Sequence, residues 1–88
     1  MSKLPVISGR EMIRVLSKIG FVVVGRKGSH TRLKRRRDKE ILIAIVPMHR
    51  ELARGTLRSI LRQANLTVSA VTPHIGLFEK LQVVRIVE

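Results

Sequence analysis

The chain has 88 residues, which is enough for one small domain with a modest hydrophobic core. It contains no cysteine, which excludes a disulfide framework and a thiolate metal site, and no apolar run approaches the roughly 18 residues of a membrane span. The absence of cysteine fits a reducing cytoplasm, where we expect this protein. Lys and Arg number 18 against 6 Asp and Glu, so the net charge is +12 and we expect a polyanionic partner.

The first predicted element is a helix over residues 8–20, SGREMIRVLSKIG. Ser8 is placed to cap its first turn, and Glu11 three residues later completes a capping box. Gly20 is a natural helix end. Apolar residues recur at helical spacing on one side and basic residues on the other, which predicts a helix that packs on a core. The apolar positions are Met12, Leu16 and Ile19, and the basic ones are Arg10, Arg14 and Lys18.

Three strands joined by short turns follow this helix. The first is rich in β-branched residues, with Gly25 as a candidate bulge and a hairpin turn at Lys27 and Gly28. Because the turns are short, neighbouring strands should run antiparallel and form a three-stranded meander. The predicted strands cover residues 21–28, 29–36 and 41–47.

The second strand alternates between apolar and basic side chains, which predicts what each face of the sheet carries. Leu33 is its only large apolar residue, so it should face the core together with Ser29 and Thr31. The residues that point the other way are then His30, Arg32 and Lys34. The third strand and residues 22–24 are apolar at every position, so we expect part of the second face of the sheet to be covered as well.

A second helix is predicted over residues 56–65, with Thr56 as its N-cap. Apolar side chains recur on one of its faces, and arginines recur every four residues on the other. These arginines are Arg54, Arg58 and Arg62. With both helices on one face of the sheet, the predicted fold is a two-layer α+β sandwich of order α-β-β-β-α.

Residues 67–88 form a C-terminal extension to a domain that covers residues 1–66. Turn signals at Pro73 and Gly76 predict an irregular or β structure. The run LQVVRIV at residues 81–87 is a candidate for an extra strand, either as a cover for the sheet or as a contact in a homo-oligomer.

The positive charge is concentrated in the predicted domain. Residues 1–66 hold 16 of the 18 basic and 4 of the 6 acidic side chains, and residues 26–39 alone hold eight cations and one Asp. Such density favours nucleic acid before anionic lipid as the partner, whereas the plainer alternative is a solvated face that aids solubility. The chain has no Tyr or Trp and only two Phe, which argues against binding by aromatic stacking of bases.

The reactive groups that this chain offers are histidine imidazoles close to Lys and Arg side chains. No carboxylate pair and no phosphate-binding loop is present, so we expect no metal and no cofactor. RNA carries its own nucleophile, the 2′-hydroxyl, and His30 could accept its proton while Arg32, Lys34 or Lys27 holds the phosphate. The plainer alternative makes His30 an ordinary surface residue and leaves His49 only to fix the connector after the third strand.

Several short motifs in this order resemble the HicA (YcfA-like) toxins of toxin–antitoxin pairs. They are a leading helix that ends in Gly-Phe, a Gly-Ser-His strand, a Val-Pro-x-His turn and a Gly-Thr-Leu opening of the last helix. The two stretches that carry them are GFVVVGRKGSHTRLK and ILIAIVPMHRELARGTLRSILRQANLT, and the resemblance covers residues 8–67.

The resemblance implies a fold like a double-stranded-RNA-binding domain and a ribosome-independent mRNA endonuclease. It also implies a HicB antitoxin that blocks the active site. The histidine of the Gly-Ser-His motif is the catalytic residue of the family and corresponds to His30, while the Pro-x-His element corresponds to Pro47 and His49. This chain departs from the pattern at Thr31, where many relatives carry a second histidine or an aromatic residue, and in the long extension.

Three hypotheses for function follow from these patterns. The leading one is a toxin that cuts mRNA without a metal ion, the second is a non-catalytic RNA-binding module of the same fold, and the third is a protein-interaction module. The expected partners are mRNA and a HicB-like antitoxin, with no membrane. The predicted catalytic residue is His30, the RNA-binding residues are Lys27, Ser29, Arg32, Lys34, Arg35, Arg36, Arg58 and Arg62, and the supporting residues are Gly28 and His49.

Overall fold

The computed structural model describes residues 4–75 of the chain. Its elements in chain order are α1 (Gly9–Ile19), β1 (Val22–Lys27), β2 (His30–Arg37), β3 (Glu40–Pro47), α2 (Arg54–Gln63), α3 (Val68–Val71) and a 3₁₀ turn (Thr72–His74). This order confirms the predicted α-β-β-β-α arrangement and the α+β class. None of the helices in residues 4–75 is both long enough and apolar enough to cross a membrane.

The two ends of α1 are formed as the sequence predicts. The Oγ of Ser8 accepts the backbone N–H of Glu11 at 3.0 Å, which satisfies one of the free donors of the first turn. At the other end Gly20 has a φ of +119°, and its N–H donates to the carbonyl of Leu16. This left-handed conformation favours glycine and turns the chain directly into β1.

The three strands form one antiparallel sheet in the order β1-β2-β3, so β2 is the central strand. The register between β1 and β2 shifts between Val23 and Gly25, which confirms the predicted bulge. Val24 is the extra residue of this bulge. A bulge bends its strand locally, and residues 25–27 separate this one from the turn that joins β1 to β2.

The first hairpin turns at Gly28 and Ser29, so the predicted turn is wrong by one residue. Lys27 pairs with His30, which leaves the two residues between them as the loop. Gly28 carries the positive φ of the turn, +58°, which glycine adopts at no steric cost. Ser29 therefore lies in the turn and not in β2.

Both α1 and α2 pack on the same face of the sheet, which we call the inner face. β2 contributes Thr31 and Leu33 to it, and β3 contributes Ala44 and Val46, all of them buried. The parity predicted for β2 is thus confirmed, apart from Ser29. The helices and loops that complete the core supply Ile7, Met12, Val15, Leu16, Phe21, Leu52, Leu57, Ile60, Leu61, Ala64 and Val71.

α2 begins at Arg54, with Ala53 as its N-cap, so the predicted cap at Thr56 is wrong. The backbone of Ala53 is extended, and its carbonyl accepts the N–H of Leu57, which closes the first helical turn. No side chain bonds to the free donors there. The helix therefore starts without a polar N-cap residue, which is the usual sequence signal for a helix N-terminus.

A side chain of α2 also bonds to the outer edge of β3. The backbone N–H of Ile45 donates to the Oε1 of Gln63 at 2.8 Å, and the Nε2 of Gln63 donates to the Oγ of Ser59 at 3.3 Å. A side chain from the helix thus occupies a donor that a further strand would need.

The extension starts with two short helical pieces that the sequence did not predict. Thr67 caps α3, since its Oγ1 accepts the N–H of Ala70 at 3.1 Å. Val71 is fully buried in the core, and Ile75 packs against it. The predicted strand at residues 81–87 lies outside the described residues.

Gly9 provides the first test of this packing. Its N–H donates to the carbonyl of His49 at 2.9 Å, and a Cβ at this position would overlap the carbonyl oxygen of Pro47. We expect Gly9→Ala to lower the free energy of unfolding by about 1–3 kcal/mol, as overpacking against backbone does. The measurement is chemical denaturation of the purified protein.

Gly55 in α2 is the matched control for this substitution, because a Cβ there would meet nothing within 4 Å. We expect Gly55→Ala to raise the free energy of unfolding by about 0.5 kcal/mol through helix propensity. Equal stability of the two alanine variants would contradict the close approach of α1 to the end of β3.

Thr31 provides a second test, because its hydroxyl is buried in the core with no hydrogen-bond partner among residues 4–75. A buried unsatisfied hydroxyl costs about 1–3 kcal/mol. We expect Thr31→Val, which keeps the shape and removes the hydroxyl, to raise the free energy of unfolding by about 1 kcal/mol. Thr31→Ser, which keeps the hydroxyl and leaves a gap, should lower it. Destabilisation by the valine would show that the hydroxyl is bonded.

Candidate functional site

The outer face of the sheet carries a row of polar side chains along its central strand. Residues of β2 alternate between the faces, and those that point away from the helices are all exposed. The row consists of His30, Arg32, Lys34 and Arg36. Because β2 is the central strand, this line of one imidazole and three cations runs down the middle of the sheet, and we call it the central row.

Aliphatic side chains flank the central row on both sides. In the register, Arg32 pairs with Ile45 of β3, and Lys34 pairs with Val22 of β1 and Ile43 of β3. The exposed fractions of these flanking residues range from 36% to 63%. They are Val22, Val24, Ile41, Ile43 and Ile45. The outer face therefore combines exposed cations with exposed aliphatic side chains.

A cavity of about 790 Å³ opens at the end of the sheet where β1 turns into β2. Five of the predicted site residues line it, together with aliphatic side chains from β1 and β3. Its lining includes Lys27, Gly28, Ser29, His30, Arg32, Val24 and Ile45. Gly25 pairs with Arg32 and carries no side chain, so the space above this part of the sheet stays open.

Backbone hydrogen bonds hold the hairpin that carries His30. The N–H of Met48 donates to the carbonyl of Ser29 at 2.7 Å, which ties the turn to the chain after β3. His30 itself pairs with Lys27 on one side and with Pro47 on the other. The backbone at this position is therefore fixed by strands on both sides, while the imidazole is exposed.

His49 makes a further backbone hydrogen bond at this end of the sheet. Its carbonyl accepts the N–H of Gly9 at the start of α1, two residues after the end of β3, and its side chain is exposed. This hydrogen bond of His49 is made by its backbone and joins α1 to the chain that follows Pro47, and His49 is not among the residues that line the cavity.

Three of the predicted RNA-binding residues lie away from the central row. Arg35 is half-buried on the inner side of β2 beside Gly20, because it shares the parity of Leu33. Arg58 and Arg62 are exposed on α2, in the helix layer, next to Leu4 and Leu66. The predicted set is thus divided between two surfaces of the molecule.

Arg26 is a lining residue of the cavity that sequence reasoning missed. The sequence contains a signal for Arg26, because this residue directly precedes Lys27 in the most basic stretch of the chain. The aliphatic wall formed by Val24 and Ile45 was also missed, because it depends on the bulge and on the register of two strand pairs.

The charges around the site are unbalanced. Within residues 4–75 the one ion pair joins Arg14 to Glu11 on α1, at 3.7 Å, so no described carboxylate neutralises the central row. The same residues contain no group of three or more His, Cys, Asp or Glu that could hold a metal ion. The site therefore offers an imidazole, guanidinium and ammonium groups to an anionic ligand.

Comparison with known proteins identifies the family. Among curated proteins, none matches this chain. A sequence model described as the HicA toxin of bacterial toxin–antitoxin pairs matches residues 9–66. That match extends from the first residue of α1 to the end of the segment that follows α2, and it includes the whole sheet and the cavity. The chain therefore belongs to the HicA toxin family.

Proposed function

We propose that this toxin is an endoribonuclease that cleaves mRNA with His30 as its catalytic base. The observation that carries the proposal is the position of His30, exposed at the cavity between Lys27 and Arg32. A ribose-phosphate linkage in this cavity would meet a proton acceptor and two phosphate-binding cations at once. Membership of the HicA family supports the same activity.

The proposed chemistry uses groups of the site, the RNA itself and water. His30 accepts the proton of the 2′-hydroxyl, and the 2′-oxygen attacks the adjacent phosphorus. Lys27 and Arg32 stabilise the negative charge that develops on the phosphate oxygens. The bond from phosphorus to the 5′-oxygen breaks, that oxygen takes up a proton from water, and His30 returns the 2′-hydroxyl proton to the solvent. The products are a 2′,3′-cyclic phosphate and a 5′-hydroxyl end.

The remaining cations of the central row extend the binding site along β2. Arg32, Lys34 and Arg36 are two residues apart along the strand, which separates them by about 6.6 Å. Such a repeat suits the regularly spaced phosphates of an extended strand of RNA. Arg35, Arg58 and Arg62 would contact only RNA that continues around the molecule toward the helices.

A second candidate function is RNA binding without cleavage. The imidazole of His30 makes no side-chain hydrogen bond to another described residue, so nothing in residues 4–75 orients it as a general base. The flanking aliphatic residues and the central row would still bind RNA under this hypothesis. The two functions differ in strand scission, which a cleavage assay measures directly.

The proposed protein partner is a HicB-like antitoxin that docks on the outer face. An acidic partner would neutralise the central row, and the flanking aliphatic residues would supply apolar area to bury. Such a complex would cover the cavity and its histidine. The toxin would then be inactive while the antitoxin is bound.

Replacement of His30 tests the catalytic proposal. We expect His30→Ala to reduce the rate of cleavage of a defined transcript by about 100-fold or more, the usual contribution of a general base. The affinity for RNA should change little, because the phosphate-binding cations remain. The same assay in EDTA should leave cleavage by the wild-type protein unchanged.

His74 is the matched control, since it lies on the 3₁₀ turn and outside the cavity. His74→Ala should cleave as the wild type does. Full cleavage by a clean preparation of the His30 variant would exclude the proposed base, and loss of cleavage in EDTA would point to a metal ion.

Two pairs of charge substitutions test where RNA binds. We expect Arg32→Gln with Lys34→Gln to weaken RNA binding and to reduce the slope of log affinity against log salt by about 1.4, since each single-strand phosphate contact contributes about 0.7. Arg58→Gln with Arg62→Gln removes the same charge from the helix layer. This control pair should leave the cleavage rate and most of the affinity intact.

The measurement is a titration of a fluorescent RNA at several salt concentrations. Equal loss of affinity in the two double variants would mean that net charge, and not the outer face, governs binding.

A further inference from the structure

The central row extends beyond the cavity, and the proposed reaction uses only one end of it. His30 and Arg32 line the cavity, whereas Lys34 and Arg36 do not. Both of these remaining cations are exposed on the outer face, and neither forms an ion pair with a carboxylate in the part of the chain that the structure describes. They are therefore available to an anion that continues past the reacting bond.

The pairing of β2 fixes where these two cations lie. Alternate residues of a strand are about 6.6 Å apart, so Lys34 is one such step from Arg32 and Arg36 is about 13 Å from it. Lys34 is paired on both sides, with Val22 and Ile43. The backbone of Arg36 is held by its pairing with β3. One cation per step suits a chain that presents one phosphate per nucleotide.

Acidic side chains lie where this series of cations ends. Asp38 is in the turn after β2, Glu40 is the first residue of β3, and both border a small cavity of about 210 Å³ together with Arg36. With Lys39 between them, residues 38–40 carry a net charge of −1. A phosphate placed beyond Arg36 would meet this negative charge, so the series of favourable positions stops at Arg36.

The aliphatic side chains beside these cations favour an unpaired strand over a duplex. Ile43 pairs with Lys34 and Ile41 pairs with Arg36, and the two isoleucines are exposed by 36% and 51%. Unpaired bases can lay their apolar faces on such side chains. An A-form duplex turns its bases inward and presents phosphates and hydroxyls, which aliphatic groups do not bind.

We infer that Lys34 and Arg36 hold the next two phosphates of the substrate on one side of the cut, so that efficient cleavage requires an unpaired strand that extends at least this far. The inference rests on the proposed function, in which Lys27 and Arg32 hold the phosphate that reacts. The next phosphate then lies at Lys34 and the one after it at Arg36. Arg36 thus sets the length of RNA that the protein recognises.

Arg36 and Arg37 are a matched pair for the test. They are adjacent, both are exposed, and they have opposite parity on β2, so Arg37 pairs with Glu40 on the inner side. Substitution of either by Gln removes the same charge. On a long strand we expect Arg36→Gln to lower kcat/KM by about threefold, the effect of one exposed ion pair, and Arg37→Gln to match the wild type.

A series of strands of increasing length tests the requirement for two further phosphates. Each strand is 2′-O-methyl RNA with one unmodified ribonucleotide, so it has one 2′-hydroxyl and can be cut at one bond only. We expect kcat/KM of the wild type to rise with the first two phosphates added on one side and then to level off. In Arg36→Gln the rise should stop after one phosphate, while the response to additions on the other side stays as in the wild type.

Fully 2′-O-methylated strands cannot be cut, so their affinity measures the same contacts without the reaction. Arg36→Gln should weaken binding and reduce the slope of log affinity against log salt by about 0.7, and Arg37→Gln should leave both unchanged. When the same strand is annealed to its complement, the two variants should bind it equally.

Four outcomes separate this inference from the proposed function. Equal effects of the two arginine variants on single strands would overturn it, as would a kcat/KM that ignores length or keeps rising past two phosphates. A difference between the variants on the duplex as large as that on the single strand would overturn the requirement for an unpaired strand. If no strand is cut, the nuclease proposal fails, and the affinities of the two variants alone support or overturn the placement of phosphates along the central row.

Discussion

Side chains along β2 alternate between two environments, and the whole arrangement depends on that alternation. One parity places Thr31 and Leu33 in the core, and the other places the central row in solvent. A shift of one residue in the register would bury His30 and three cations and would expose Leu33. The cost of burying unpaired cations is far larger than the stability of a small domain, so the register is fixed by both faces. The strand β2 therefore contributes both to the core and to the candidate site.

The position of the site is held by backbone contacts more than by side chains. The turn at Gly28 sets the direction of the hairpin, and the bond from Met48 to Ser29 ties it to the end of β3. Gly9 then allows α1 to approach that same end closely. Because these contacts are made by the backbone, they hold the hairpin without using the side chains around His30. The cations there remain unpaired within residues 4–75, which is electrostatically unfavourable for the free protein and favourable for its complexes.

Much of the fold could be predicted because its signals are local. The cap at Ser8, the end at Gly20 and the parity of β2 each follow from residue types at fixed spacing. The start of α2 could not, since Ala53 has no side chain that marks an N-cap. α3 was missed because four residues are too short for a periodic pattern. For the site, parity already assigned His30, Arg32 and Lys34 to one surface and could have assigned Arg35 to the other. The aliphatic wall of Val24 and Ile45 required the bulge and the pairing of distant strands, which no local pattern contains.

The side chain of Gln63 has a consequence for how copies of this protein can associate. Ordered growth of a cross-β stack needs two free strand edges on every subunit. One edge pairs with the preceding subunit, and the other pairs with the next. With the N–H of Ile45 already bonded to Gln63 of α2, one backbone donor on the edge of β3 is no longer free for such pairing. A strand that paired with β3 at this point would have to displace the Gln63 side chain. One amide side chain on a helix thus disfavours association through this edge, in a protein whose sheet is rich in valine and isoleucine.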